Sequence, residues 1–161
     1  MMNQIDQNLY VSLPLQMGKA HRLCRDAVSA AVESLGLTQP RWTALVHISL
    51  LNDGPTQLQL ANSLGIEMPS LTRTLQQLEQ QDLIERRIDD ADKRSKKIYF
   101  TEQGQQLFSQ LEAVLFDIKK QLFAGLSDEQ IIAITKGLSQ IERNAQGFIQ
   151  RLNSGNTEHD T

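Results

Sequence analysis

Residues 56–78, TQLQLANSLGIEMPSLTRTLQQL, decide the reading of the fold. Thr56 and Gln59 stand three positions apart, the T-x-x-Q spacing in which each side chain satisfies the other residue's backbone N–H at a helix start. Leu58, Leu60, Ala61 and Leu64 supply that helix with apolar residues, and Gly65 offers a left-handed exit. Pro69 is tolerated in a first turn and opens a second helix. On it, Leu71, Leu75 and Leu78 share one stripe and belong in a core, while Ser70, Arg73, Gln76 and Gln77 turn to the other side. Two helices joined by a tight turn follow, the second with a polar, charge-poor outer face.

Upstream, Ala20, Leu23, Cys24, Ala27, Ala31 and Leu35 recur at three- and four-residue steps across residues 13–35, which predicts a first helix stopped by Gly36. Thr38 as N-cap and Pro40 in the first turn open another, with Trp42, Leu45, Val46, Ile48 and Leu50 as its apolar residues. Asn52-Asp53-Gly54-Pro55 then breaks the pattern. Downstream, residues 84–88 and 95–100 flank the polar run Asp89-Asp90-Ala91-Asp92-Lys93, and Ile98 and Phe100 alternate with Lys97 and Tyr99. This is the period of a half-buried strand, so the segment reads as a β-hairpin. Thr101 caps a fifth helix carried by Leu107, Leu111, Val114, Ile118 and Leu122 to Gly125. Ser127 and Gln130 repeat the capping-box spacing before a sixth, on which Ile131, Ile134, Leu138, Ile141, Ala145, Phe148 and Leu152 form an apolar seam. Residues 153–161 are polar and read as a disordered tail.

The expected fold is mainly α with a small β-hairpin wing, an α+β arrangement. It forms a single domain over residues 1–161 with a winged helix–turn–helix lobe at 38–100 and dimerisation helices at 8–36 and 101–152. A short capped helix, a turn and a helix with a polar face is the layout that enters a DNA major groove. The outward row has the side chains for it. Arg73 can bridge a guanine, Gln76 and Gln77 can pair with adenine or reach phosphates, and Ser70 and Thr72 can meet backbone oxygens. In the hairpin six basic residues, Arg86, Arg87, Lys93, Arg94, Lys96 and Lys97, face four acids, Glu85, Asp89, Asp90 and Asp92. The tip is therefore locally basic, and Arg94 is placed to enter a narrow minor groove. Arg86, Arg94 and Lys96 are the wing residues expected on DNA, with Arg86 or Arg87 open to internal pairing with Glu85 or Asp82.

At these residues the chain resembles the MarR family of winged-helix transcriptional regulators, and is most similar to its SlyA-type branch. The resemblance spans residues 13–152. It rests on Gly36-Leu37-Thr38-Gln39-Pro40-Arg41-Trp42, on the block of residues 59–75, and on Asp92-Lys93-Arg94-Ser95, similar to the family's D-x-R wing signature. The resemblance implies a homodimer whose first, fifth and sixth helices interlock, so that two lobes read successive half-sites of a near-palindrome in double-stranded DNA. The seam through Ile131, Ile134, Leu138, Ile141 and Phe148 supports this independently, because so long an apolar stripe needs a partner. The resemblance also implies a small-molecule pocket near the start of the second helix, with Arg22, Trp42 and His47 beside it and Arg22 facing the carboxylate of a small aromatic effector.

Composition sets the outer bounds. The chain has 161 residues, 40% hydrophobic and 22% charged, with 16 Lys and Arg against 19 Asp and Glu. That is the balance of a globular domain, and a chain of this size needs no disulfide or metal staple. One cysteine, no long apolar run and no basic leader predict a cytoplasmic protein without a membrane span. No nucleophile elbow, phosphate-cradling glycine loop or H-E-x-x-H occurs, so neither an enzyme nor a bound cofactor is expected. His21, His47 and His159 are far apart and no metal site is expected. Two other readings stay open: a winged-helix protein-interaction module that does not touch DNA, and a regulator switched by oxidation of Cys24. Against the second, Cys24 lies on the apolar stripe of the first helix, where a buried thiol is inert.

Overall fold

The structure is a computed structural model that describes residues 4–89, 93 and 95–155, with side chains from residue 11 onward. In chain order it consists of α1 (Gln4–Ala31), a 3-10 turn (Glu33–Leu35), α2 (Gln39–Leu51), α3 (Gln57–Leu64), α4 (Met68–Gln80), β1 (Ile84–Ile88), β2 (Lys96–Phe100), α5 (Glu102–Leu122) and α6 (Asp128–Gly155). The expected order of helices and hairpin is therefore the observed one. None of the described helices is long and apolar enough to cross a membrane.

Several boundaries move for identifiable reasons. α1 begins well before residue 13 and carries Pro14 inside it, so the helix continues with one backbone donor missing. It also ends earlier than the apolar spacing suggests, because the chain tightens at Val32 into the separate 3-10 turn that contains Leu35. At the other end α6 runs to Gly155, so residues 153–155, assigned to the tail by their polarity, complete a helix. Residues 156–161 lie outside the described residues.

The helix–turn–helix is built by local chemistry. Thr56 Oγ1 accepts from Gln59 N at 3.2 Å and Gln59 Oε1 accepts from Thr56 N at 2.8 Å, which completes the capping box. Gly65 adopts φ 64°, and its N–H and that of Ile66 return to Asn62 O and Ala61 O. This releases the chain into the turn before α4. Leu71, Leu75 and Leu78 are all fully buried, with Leu45 and Leu60 beside them.

The wing is a two-stranded antiparallel sheet whose register pairs Ile84 with Phe100, Arg86 with Ile98 and Ile88 with Lys96. A third segment ties it down: Ile98 N donates to Pro55 O at 3.0 Å, and Thr56 forms an isolated bridge with Lys97. The residue that caps α3 is thus also joined to β2. Thr101 closes the far end, its hydroxyl donating to Asp82 O and accepting from Gly104 N.

The chain divides into two compact units, residues 1–122 and 123–161. The first contains α1 through α5 with the wing, and the second contains α6. α1 and α5 thus fall in the same compact unit as the winged helix–turn–helix. Burial explains this. Val28 and Val32 of α1 and Phe108 and Leu111 of α5 join the core that contains Leu45, Leu75 and Ile98, and Phe108 stacks on Phe100 with ring centroids 5.1 Å apart.

Candidate nucleic-acid interface

α4 is a helix with three differently occupied sides. Leu71, Thr74, Leu75 and Leu78 are buried. Opposite them Pro69, Arg73, Gln76 and Gln80 are exposed, as the 3.6-residue period requires of positions half a turn away. Among the described residues the Arg73 guanidinium makes no hydrogen bond or ion pair, so its donors are available to a ligand. Pro69 lies within the first turn of α4, where the backbone N–H groups of Met68 and Ser70 have no partner inside the helix. Thr72 stands apart: its hydroxyl donates to Met68 O at 2.8 Å and accepts from Gln57 Nε2 at 2.6 Å.

Three of the wing's six basic side chains are held internally. Arg87 pairs with Glu85 and lies over the Tyr99 ring at 5.0 Å, and Lys97 Nζ sits 3.6 Å from Asp89 Oδ1. Arg86 pairs with Glu79 at 3.0 Å rather than with Glu85 or Asp82. Lys93 and Lys96 are exposed and make no ion pair among the described residues. The Arg94 position expected on DNA lies outside the described residues, as do Asp90, Ala91 and Asp92.

A cavity of about 780 Å³ adjoins the same helix. Its walls are His21, Cys24, Arg25 and Val28 of α1, Trp42, Thr43, Val46 and His47 of α2, and Ser70, Arg73, Thr74 and Gln77 of α4. Trp42 is buried and its Nε1 donates to Ser29 Oγ at 3.1 Å, which fixes the indole plane against α1. His47 Nδ1 is 2.7 Å from Ser63 Oγ, and partial burial holds its imidazole below the usual range. The cavity thus has an aromatic wall and two guanidinium groups, Arg25 and Arg73, which suits an aromatic anion.

Similarity to known proteins narrows the reading. The family model described as MarR family matches residues 37–96. The crystal structure of the transcriptional regulator PA3341 is 30% identical over 84% of this chain and 98% of that one, with a TM-score of 0.80. The chain belongs to the MarR family. Two solved structures of lower identity share its fold. A MarR transcriptional regulator from Methanosarcina mazei Go1 is 22% identical over 84% of this chain and 97% of that one, with a TM-score of 0.72. CouR from Rhodococcus jostii RHA1, bound to p-coumaroyl-CoA, is 23% identical over 83% and 93%, with a TM-score of 0.75.

Within this MarR-family regulator fold, the structure brings Ser70, Arg73 and Gln77 together at the cavity edge and leaves Gln76 and Lys96 exposed elsewhere on the winged lobe. Of the three residues expected at the pocket, Trp42 and His47 line it, whereas Arg22 is exposed and does not. Arg25 supplies the α1 guanidinium in its place. His21, Cys24, Arg25 and Val28 follow the i, i+3, i+4, i+7 spacing of one helix face, and that spacing is present in the sequence. Cys24 is half-buried at this wall. Gln57 and Glu79, partners of Thr72 and Arg86, draw no attention in the sequence because neither carries a recognisable motif.

Proposed function

We propose that this protein is a homodimeric, sequence-specific DNA-binding regulator whose α4 helices lie in successive major grooves of a pseudo-palindromic operator. The observation that carries the reading is the exposed row through Arg73 and Gln76, without partners among the described residues, on the second helix of a winged helix–turn–helix. Arg73 and Gln76 read base edges, Ser70 and Gln77 meet the phosphate backbone, and Lys96 and Arg94 of the wing follow the adjoining minor groove. The dimer is supported by α6, where Ile134, Leu138, Ile141 and Phe148 are 51%, 42%, 41% and 56% exposed in the single chain. A small aromatic carboxylate in the α1–α2–α4 cavity is the proposed effector, with Trp42 against its ring and Arg25 on its carboxylate. The p-coumaroyl-CoA bound to CouR, an aromatic acyl group on an anionic carrier, supports an aromatic, anionic ligand by analogy, though its own carboxyl is a thioester.

Selection from random duplexes followed by fluorescence anisotropy tests the reading. Wild type is expected to enrich a palindrome with half-site centres about 10 bp apart. Arg73→Ala is expected to weaken the selected site by about 1–3 kcal/mol and to relax preference at one position of each half-site. Enrichment of no sequence at moderate salt would overturn the proposal and favour a protein-interaction module.

A further inference from the structure

Strand alternation turns Arg86 to the same face of β1 as the buried Ile84, and its guanidinium reaches two helices at once. Nη2 pairs with Glu79 Oε2 on α4 at 3.0 Å, and Nη1 donates to Gln57 Oε1 on α3 at 3.4 Å. The other end of the Gln57 amide donates to the Thr72 hydroxyl, which passes its own proton to Met68 O. Thr72 and Glu79 are seven residues apart, two turns along one flank of α4, so the wing and α3 together grip that helix at two heights. The Arg86 side chain is only 19% exposed, and its Nε is buried with no partner among the described residues. The two contacts above are therefore what offsets the desolvation of this guanidinium, and neither can be given up to a phosphate without loss.

We infer that Arg86 and Gln57 are positioning residues: they lock the rotation of α4 about its axis, and with it the direction in which Arg73 and Gln76 face, without touching DNA. This rests on the DNA-binding reading above. Bidentate recognition of a base edge is steep in angle, so a small roll of α4 weakens specific binding while leaving the general attraction to phosphates intact.

Substitution of Glu79 separates the two roles by sign. If Arg86 were a phosphate contact, removing the acid beside it would free positive charge and strengthen DNA binding. If Arg86 positions α4, removing that acid weakens binding to the operator. The full chain is titrated against the selected operator and a scrambled duplex over a salt series. The panel is wild type, Glu79→Gln, Arg86→Gln, the double variant, Thr72→Val and Thr72→Ser. Glu79→Gln and Arg86→Gln are each expected to lose about tenfold in affinity for the operator, with no change on the scrambled duplex or in the salt slope. The double variant should be no worse than either single one, because the pair acts as a unit. Thr72→Val should lose operator affinity and Thr72→Ser, which restores the hydroxyl, should recover it. That pair carries the test should either charge variant fail to fold.

The inference is overturned if Glu79→Gln binds the operator as tightly as wild type or more tightly. It is equally overturned if Arg86→Gln weakens both duplexes alike and lowers the salt slope by about 0.9, the mark of one lost phosphate contact. A wild type that enriches no sequence would instead remove the DNA-binding reading, and this inference with it.

Discussion

Gly104 shows how narrowly single positions hold the winged lobe together. It lies in the first turn of α5, where Thr101 N donates to Leu83 O at 3.2 Å and brings the β1 entry against the helix. A Cβ built on Gly104 would overlap that same carbonyl oxygen and stand 2.7 Å from its carbon, and backbone on both sides leaves nothing flexible to give way. Gly104→Ala is therefore expected to cost about 2 kcal/mol or more, read as a lower midpoint in urea unfolding. His47 gives a pH dependence instead. Burial holds its folded-state pKa below the ordinary value of about 6.5, so the native protein keeps it neutral. As pH falls through that value the unfolded chain takes up a proton that the native chain does not. Stability from this group is thus fully present above about 6.5 and is lost on acidification towards the lower folded value. A pH series of thermal melts should show wild type falling more steeply between about pH 7.5 and 5.5 than His47→Gln. Partial exposure of the ring keeps that difference modest.

At the level of helices and strands, the capping boxes are the features most directly legible in the sequence, because both halves of each box are local. Thr56 with Gln59, and Ser127 with Gln130, form both reciprocal bonds. Thr56→Ala should destabilise the first unit by about 1 kcal/mol in chemical denaturation, and Thr56→Ser by much less. The wing is legible in outline and not in charge. Period-two alternation locates both strands, and the same alternation, applied to Ile84, Arg86 and Ile88, separates Arg86 from Arg87. What no spacing can supply is the partner. Glu79 and Gln57 lie seven and 29 residues upstream of Arg86, on different helices, and only packing brings them to one guanidinium. Counting charges along the hairpin gives a basic tip, but it does not reveal that Arg86, Arg87 and Lys97 are already paired.

Across the chain, the acidic balance lies at one end of the sequence. Residues 1–40 carry three basic and three acidic side chains, 41–100 carry eight of each, and 101–161 carry five basic and eight acidic ones. The segment with α3, α4 and the wing is therefore neutral overall, and with three of its basic groups paired it offers little general attraction to phosphate. On the proposed reading, specific binding then leans on geometry, which two coupled lobes supply better than one. The apolar residues of α6 make the dimer testable: Leu138→Glu is expected to convert the protein to monomers in sedimentation velocity and to remove the concentration dependence of its melting temperature. The assignment of α1 and α5 to the winged unit is not visible in periodicity, which reports that a helix has an apolar face and not which neighbour covers it.

On the proposed reading, the wall that the cavity shares with the exposed side of α4 constrains how such a regulator can diversify. Ser70, Arg73 and Gln77 line the cavity and are also proposed DNA contacts, so on that reading a substitution there that admitted a new small molecule would alter the operator preference in the same step. His21, Cys24, Arg25 and His47 line the cavity from α1 and α2 and have no such double duty. Relatives that keep one operator while responding to different chemical signals should therefore vary on the α1 and α2 side and hold α4 fixed. Duplicated copies that change α4 should lose their inherited operator and their inherited signal together.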